Sequence, residues 1–150
     1  MVANIPADFD IDSVPEEQRA FLQQPLMVQT KVREGRAGSV LFVNDAKQAN
    51  ALQKAAVEES PHGIPLIFGY DVIHGLRTIF PVPIAMAANW KPETVEEAQA
   101  VAAREARAAG IAWTFAPMVD IARDPRWGRI VEGAGEDPFR LIAFEGVVGV

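Results

Sequence analysis

The sequence predicts an α/β fold in which right-handed βαβ units build a parallel sheet. Short apolar runs at residues 39–43, 64–70 and 112–119 alternate with longer segments of helical periodicity. The resulting order, strand, helix, strand, helix, strand, helix, is the signature of crossover units within one sheet. Polar residues follow two of the runs directly: Asp71 after the second, and Arg123-Asp124-Pro125-Arg126-Trp127-Gly128-Arg129 shortly after the third. Loops at the C-terminal ends of buried strands are where α/β proteins place their sites, because the strand end is rigid and the loop is free to vary.

Taken in order, Ser13-Val14-Pro15-Glu16-Glu17 combines a capping Ser, an early Pro and first-turn acids, and predicts a helix that runs to about Gln24 and stops before Pro25. Residues 26–36 have no clear period, and Gly35 and Gly38 mark a turn into the first strand, 39–43. Asn44 or Asp45 can cap the next helix, which carries Ala46, Leu52, Ala55, Ala56 and Val57 largely on one side and ends before Pro61. The run 64–70 reads as a strand covered on both faces, with Asp71 at its C-terminal end. A Gly- and Pro-punctuated connection, His74 to Pro83, leads to the best helix in the chain. Pro92 opens it, Glu93, Glu96 and Glu97 occupy its first turns, Arg104 and Arg107 come late, and Gly110 stops it. Its apolar stripe is Val95, Ala98, Ala102, Ala106 and Ala109. The third strand is 112–119, and Asp137-Pro138 caps a last helix.

Composition bounds the function. The 150 residues are 49% hydrophobic and 23% charged, ordinary for a folded domain, and the net charge of -6 argues against a general nucleic-acid or anionic-membrane binder. No segment approaches the roughly 20 apolar residues of a membrane span, and residues 1–12 show no basic and apolar stretch of the secretory kind. With no Cys there is neither a disulfide framework nor a thiolate metal site, and His62 and His74, twelve residues apart, do not suggest a His-based one. No cofactor is expected. Gly133 and Gly135 do not form a phosphate loop, since no Lys-Ser/Thr follows them. Arg123, Asp124 and Arg126 suit a structural ion-pair cluster with Asp120 and Glu136, His74 suits a core or supporting histidine better than a general base, and Trp127 suits either a ligand platform or loop packing.

Five ordered motifs carry a resemblance. Phe68-Gly69-Tyr70-Asp71-Val72-Ile73-His74-Gly75 with Arg77-Thr78-Ile79-Phe80-Pro81, then Ala103-Arg104-Glu105-Ala106, Phe115-Ala116-Pro117-Met118-Val119-Asp120, Arg123 to Arg129, and Glu132-Gly133-Ala134-Gly135-Glu136-Asp137-Pro138 resemble the N-terminal (β/α)8 domain of family 3 glycoside hydrolases, the β-glucosidase group. The resemblance is firm from Gly38 to Asp137 and weak over residues 1–35, and position 76 is Leu where many relatives carry a polar residue. It implies a partial barrel of about three βα units within 36–150, acting on a β-linked glucoside or oligosaccharide. Asp71 would accept hydrogen bonds from hydroxyls of the non-reducing-end sugar, Arg129 would donate to the same sugar, and Arg77 would be a third contact. Nearness to bacterial periplasmic β-glucosidases suggests a periplasmic or secreted setting.

The family's nucleophile, an Asp in a Ser-Asp-Trp-like motif, its Glu acid/base and its Lys-His pair have no counterpart here: Trp90, Trp113 and Trp127 follow Asn89, Ala112 and Arg126, and no Lys precedes a His. The expectation is therefore a fragment of a retaining β-glycosidase, with a non-catalytic truncated product that binds sugar weakly as the alternative. The 150 residues alone are expected to show no β-glucosidase activity and to self-associate through open sheet edges.

Overall fold

The computed structural model describes residues 10–139, 141 and 143. The chain divides into two units, the first running to Tyr70 and including Ala109–Trp113, the second made of Asp71–Ala108 and the segment that begins at Thr114.

In the first unit, helix α1 spans Glu16–Arg33, with Glu16 and Glu17 in its first turn and Lys31 and Arg33 in its last, the charge order that a helix dipole favours. The expected stop before Pro25 is not observed. A Pro inside a helix removes one N–H bond and crowds the preceding turn at a cost of about 3 kcal/mol. Here the turns beyond it carry Val28, Gln29 and Val32, and Val32, 1% exposed, belongs to the unit's core. Ser13 does not cap this helix: it closes a 3-10 turn, Ile11–Ser13, and its hydroxyl donates to the Asp10 carbonyl at 2.6 Å. Gly35, at φ +69, ends α1, with the Arg36 N–H donating to the Lys31 carbonyl at 2.8 Å.

Strand β1 (Ser39–Leu41) is shorter than expected, because Phe42 turns into the left-handed region at φ 63 and sets its ring edge-on to Tyr70, centroids 5.6 Å apart. Asp45 caps α2 (Ala46–Lys54) by accepting the Gln48 N–H at 3.0 Å, and the helix continues as one wider π turn, Ala55–Glu59. Strand β2 is Ile67–Tyr70 rather than 64–70. Pro65 has no N–H, and both backbone groups of Leu66 are taken by the Gln53 side chain, which accepts from its N–H at 2.8 Å and donates to its carbonyl at 3.3 Å. Pairing begins one residue later, parallel and in the register Ser39 to Ile67, Val40 to Phe68 and Leu41 to Gly69.

The strand order among the described residues is β1-β2-β3, with β3 at Trp113–Thr114 and the Ala112 N–H donating to the Phe68 carbonyl at 3.1 Å. Coverage on both faces is corrected as well. Val40 and Phe68 are buried with Val32, Val43, Ala49, Ala55, Ala56 and Leu66, whereas Leu41 and Ile67 are exposed, so the described residues cover one face of these strands. A parallel sheet normally has helices on both.

In the second unit, α3 (Pro83–Ala87) forms where only a connection was expected. Pro83 at its first position supplies a pre-set φ, and Met86 and Ala87 bury against Val95 and Ala98. Helix α4 (Pro92–Ala108) has the predicted bounds, and Val95, Ala98, Ala102, Ala106 and Ala109 are all buried. Small residues along that stripe let its backbone approach its neighbours closely. The third strand stops at Thr114 instead of reaching Val119, since Pro117 has no N–H for a ladder; the Ala116-Pro117 bond is cis. Asp137 caps the last helix, accepting the Phe139 N–H at 2.9 Å, and that helix beyond Phe139 lies largely outside the described residues.

Candidate functional site

Asp71 leaves the end of β2 with its side chain exposed, while Val72 beside it is 3% exposed and anchors the backbone. The following loop closes on itself. The Phe80 N–H donates to the His74 carbonyl at 2.8 Å, and the His74 ring Nδ1 lies 2.9 Å from the Phe80 carbonyl, which makes that nitrogen the protonated donor. One ring nitrogen of His74 is thereby spent on holding the loop, the supporting use its place in the sequence suggested. Gly75 sits at φ +114 with room for no side chain: a Cβ there would come within 2.0 Å of the Thr78 carbonyl oxygen.

Helix α4 grips this loop from outside. The Gln99 amide donates to the Ile73 carbonyl at 3.3 Å. The Glu105 carboxylate accepts the Thr78 hydroxyl at 2.6 Å and the N–H groups of Arg77 and Thr78 at 2.8 and 2.9 Å. The Thr78 hydroxyl first, then the N–H groups of Thr78 and Arg77, hold the Glu105 carboxyl below its ordinary value.

The second loop runs from Asp120 to Glu136. Its first half is an Asp-centred turn: Asp124 accepts the Arg126 N–H at 2.9 Å, takes the Arg126 guanidinium at 2.5 Å, and its carbonyl accepts the Trp127 N–H at 3.1 Å. Hydrogen bonds from the Arg126 side chain, then from its backbone, lower the Asp124 pKa. The ion-pair cluster expected of Arg123, Asp124 and Arg126 with Asp120 and Glu136 is thus reduced, among the described residues, to one local pair. Spacing explains it, since an Asp two residues before an Arg closes a turn on itself before either can reach further.

The second half of the loop presents Arg129. Its Nε and Nη2 donate to the two oxygens of Glu132 at 2.9 and 2.6 Å, a bidentate pair, and Nη2 also lies 3.6 Å from the Met118 sulfur. A 3-10 turn, Ile130–Glu132, brings the acid back onto the guanidinium. Hydrogen bonding to Glu132 and its charge raise the Arg129 pKa, and the fields of Asp120 and Asp71 add to them. Among the described residues, the Nη1 side of the fork has no hydrogen-bond acceptor.

Of the three residues singled out from sequence, Asp71 and Arg129 are therefore brought within electrostatic range of each other, with Asp120 as a second carboxylate in the group. Arg77 leaves the turn that Glu105 holds, is exposed, and its charge acts on the Glu105 carboxylate. Two residues that motif reading left without a role have one here: Glu132, signalled only by its spacing of three from Arg129, and Glu105, whose partner lies 28 residues away and left no local signal. The group can bind a polyol. A carboxylate accepts from two adjacent hydroxyls while a guanidinium edge donates to a neighbouring oxygen.

Known proteins place this architecture. The chain belongs to glycosyl hydrolase family 3: the profile of the family's N-terminal domain matches residues 12–146. It is 38% identical over 112 residues to the periplasmic β-glucosidase of Salmonella typhimurium, covering 75% of this chain and 15% of that protein. The crystal structure of a β-glucosidase from Listeria innocua superimposes with a TM-score of 0.76 at 42% identity, covering 86% of this chain and 18% of that one. A mutant of the Listeria enzyme in complex with laminaribiose superimposes with the same TM-score of 0.76 at 38% identity, over 89% of this chain and 19% of that one. The chain thus spans less than a fifth of the length of these relatives.

Proposed function

We propose that these residues build part of the subsite for the non-reducing-end sugar in a retaining β-glucosidase or related exo-acting β-glycosidase, within the first βα units of a (β/α)8 barrel. Asp71 accepts from hydroxyls of the sugar, Arg129 donates to it from the Nη1 side of its fork, and Arg77 is a third contact. The observation that carries this reading is the bidentate Arg129–Glu132 pair, which pre-sets the guanidinium, with Asp71 near enough for its charge to act on it. The laminaribiose bound by the Listeria relative, a β-linked glucose disaccharide, matches that chemistry.

Such a group catalyses by orientation. Charged hydrogen bonds that tighten as the ring flattens toward an oxocarbenium-like transition state lower the barrier without any proton transfer by Asp71 or Arg129. A retaining glycosidase also needs two carboxyl groups about 5 to 5.5 Å apart across the scissile bond, and we assign neither to these 150 residues.

The test is kinetic, on the protein expressed from its complete reading frame with an aryl β-glucoside. Asp71→Ala and Arg129→Ala should each lower kcat/KM by on the order of 10²-fold or more. Arg123→Ala should leave it within about 3-fold, as is usual for an exposed side chain outside the site. An unchanged kcat/KM in Asp71→Ala removes the assignment, and a reading frame that yields no turnover at all turns the reading toward a sugar-binding, non-hydrolytic chain.

A further inference from the structure

Among the described residues, Glu105 is the carboxylate of α4 whose two oxygens both go to another segment of the chain. Both its oxygens are engaged, one by the Thr78 hydroxyl and the other by two successive N–H groups, those of Arg77 and Thr78. Successive N–H groups aimed at one oxygen form an anion-holding nest, and the anion that fills it sets the backbone angles on either side. The side chain that leaves the centre of this nest is Arg77. The turn is tight enough to exclude a Cβ at Gly75, and its other end is tied by the His74–Phe80 closure. The loop therefore has one closed shape with Glu105 in place.

A carboxylate half-exposed on a helix has ready alternatives: water, or the Arg104 and Arg107 side chains beside it in sequence. Its use here goes instead to a turn 28 residues earlier that begins a few residues beyond Asp71.

Resting on the sugar-subsite reading above, we propose that Glu105 is a positioning residue for that subsite: it templates the 74–80 turn and thereby fixes where Arg77 meets the substrate. Glu105 touches no sugar itself. A gain in affinity from Arg77 requires that its backbone origin be ordered before binding, since a loop that has to be ordered by the ligand subtracts that ordering from the binding energy. The same logic assigns Thr78 a share of the role through its hydroxyl.

The test is a double-mutant cycle in the protein expressed from its complete reading frame, read as KM and kcat for an aryl β-glucoside and as competitive inhibition by glucose. Glu105→Gln should raise KM and the glucose inhibition constant together by roughly 10-fold, the loss expected for charge-assisted hydrogen bonds, with kcat changed much less. In an Arg77→Ala background Glu105→Gln should add almost nothing, because the group it positions is gone. Thr78→Val should reproduce part of the effect and Thr78→Ser should restore wild-type KM, which keeps the test available if Glu105→Gln folds poorly. Equal effects of Glu105→Gln with and without Arg77, or a loss of thermal stability with unchanged KM, overturn the positioning role. Asp71→Asn is the control: if it is disabling while Glu105→Gln is silent, the subsite reading stands and this one falls, and if Asp71→Asn is itself silent, the subsite reading is what failed.

Discussion

Arg129 and Glu132 show how a residue three positions on can decide what a binding group does. Without Glu132 the guanidinium would sample many rotamers, and closing it onto Asp71 and a ligand would cost side-chain entropy of up to about 2 kcal/mol. With it, the fork is held through two of its nitrogens and presents the third. The Glu132 carboxyl is held below its ordinary value by the Arg129 hydrogen bonds, partly offset by desolvation. For a carboxylate whose folded pKa is depressed, the pairing contributes fully above the unfolded value, about 4.3, and is lost as pH falls through the lower folded value. KM measured against pH should therefore stay flat on the acid side until below the ordinary carboxylate range. Glu132→Gln should raise KM by roughly 10-fold at neutral pH and remove that acid limb; a limb that persists in Glu132→Gln assigns it to another group. Asp71, Asp45 and Asp137 were legible from sequence because strand ends and helix caps are local events, and each sits where its neighbours in the chain placed it. Glu105 was not, since nothing around position 105 names a partner at 77 and 78.

At the level of elements, α4 was legible from its ends and its stripe because Pro92, Gly110 and five small or branched apolar positions all agreed. Misreadings arose where tertiary contacts outweighed a local signal. Pro25 reads as a stop, yet Val28 and Val32 beyond it have a core to join and the helix continues. Ile64 to Leu66 read as strand, yet Gln53 occupies the Leu66 backbone and delays pairing to Ile67. The 74–80 turn offers the sharpest test at this scale. Gly75→Ala forces a side chain into a positive-φ position 2.0 Å from the Thr78 carbonyl oxygen, so the turn has to open. We expect a loss of about 1–3 kcal/mol in denaturant unfolding, with a rise in KM like that of Arg77→Ala. Wild-type stability in Gly75→Ala would show that the turn is not held as described.

For the molecule as a whole, the exposed face of the sheet governs behaviour in solution. Leu41 and Ile67 lie exposed on β1 and β2, and among the described residues β1 is an edge in the order β1-β2-β3. Unpaired parallel edges and bare apolar strand faces invite association. The 150 residues on their own should elute in size-exclusion chromatography as concentration-dependent oligomers and should not turn over an aryl β-glucoside; a sharp monomer peak with cooperative unfolding contradicts this. Leu41→Lys on the exposed face should shift the distribution toward monomer. The α/β class and its crossover order were readable from the alternation of runs, but one-sided burial was not, because an apolar run reads the same whether one face or both are covered. The sugar subsite is tested most directly by a crystal structure, with glucose bound, of the protein expressed from its complete reading frame. We expect sugar hydroxyls within about 2.7–3.2 Å of the Asp71 carboxylate and of the Arg129 guanidinium, with the Arg129–Glu132 pair intact. Glucose bound elsewhere, or bound with Asp71 and Arg129 both out of hydrogen-bond reach, contradicts it.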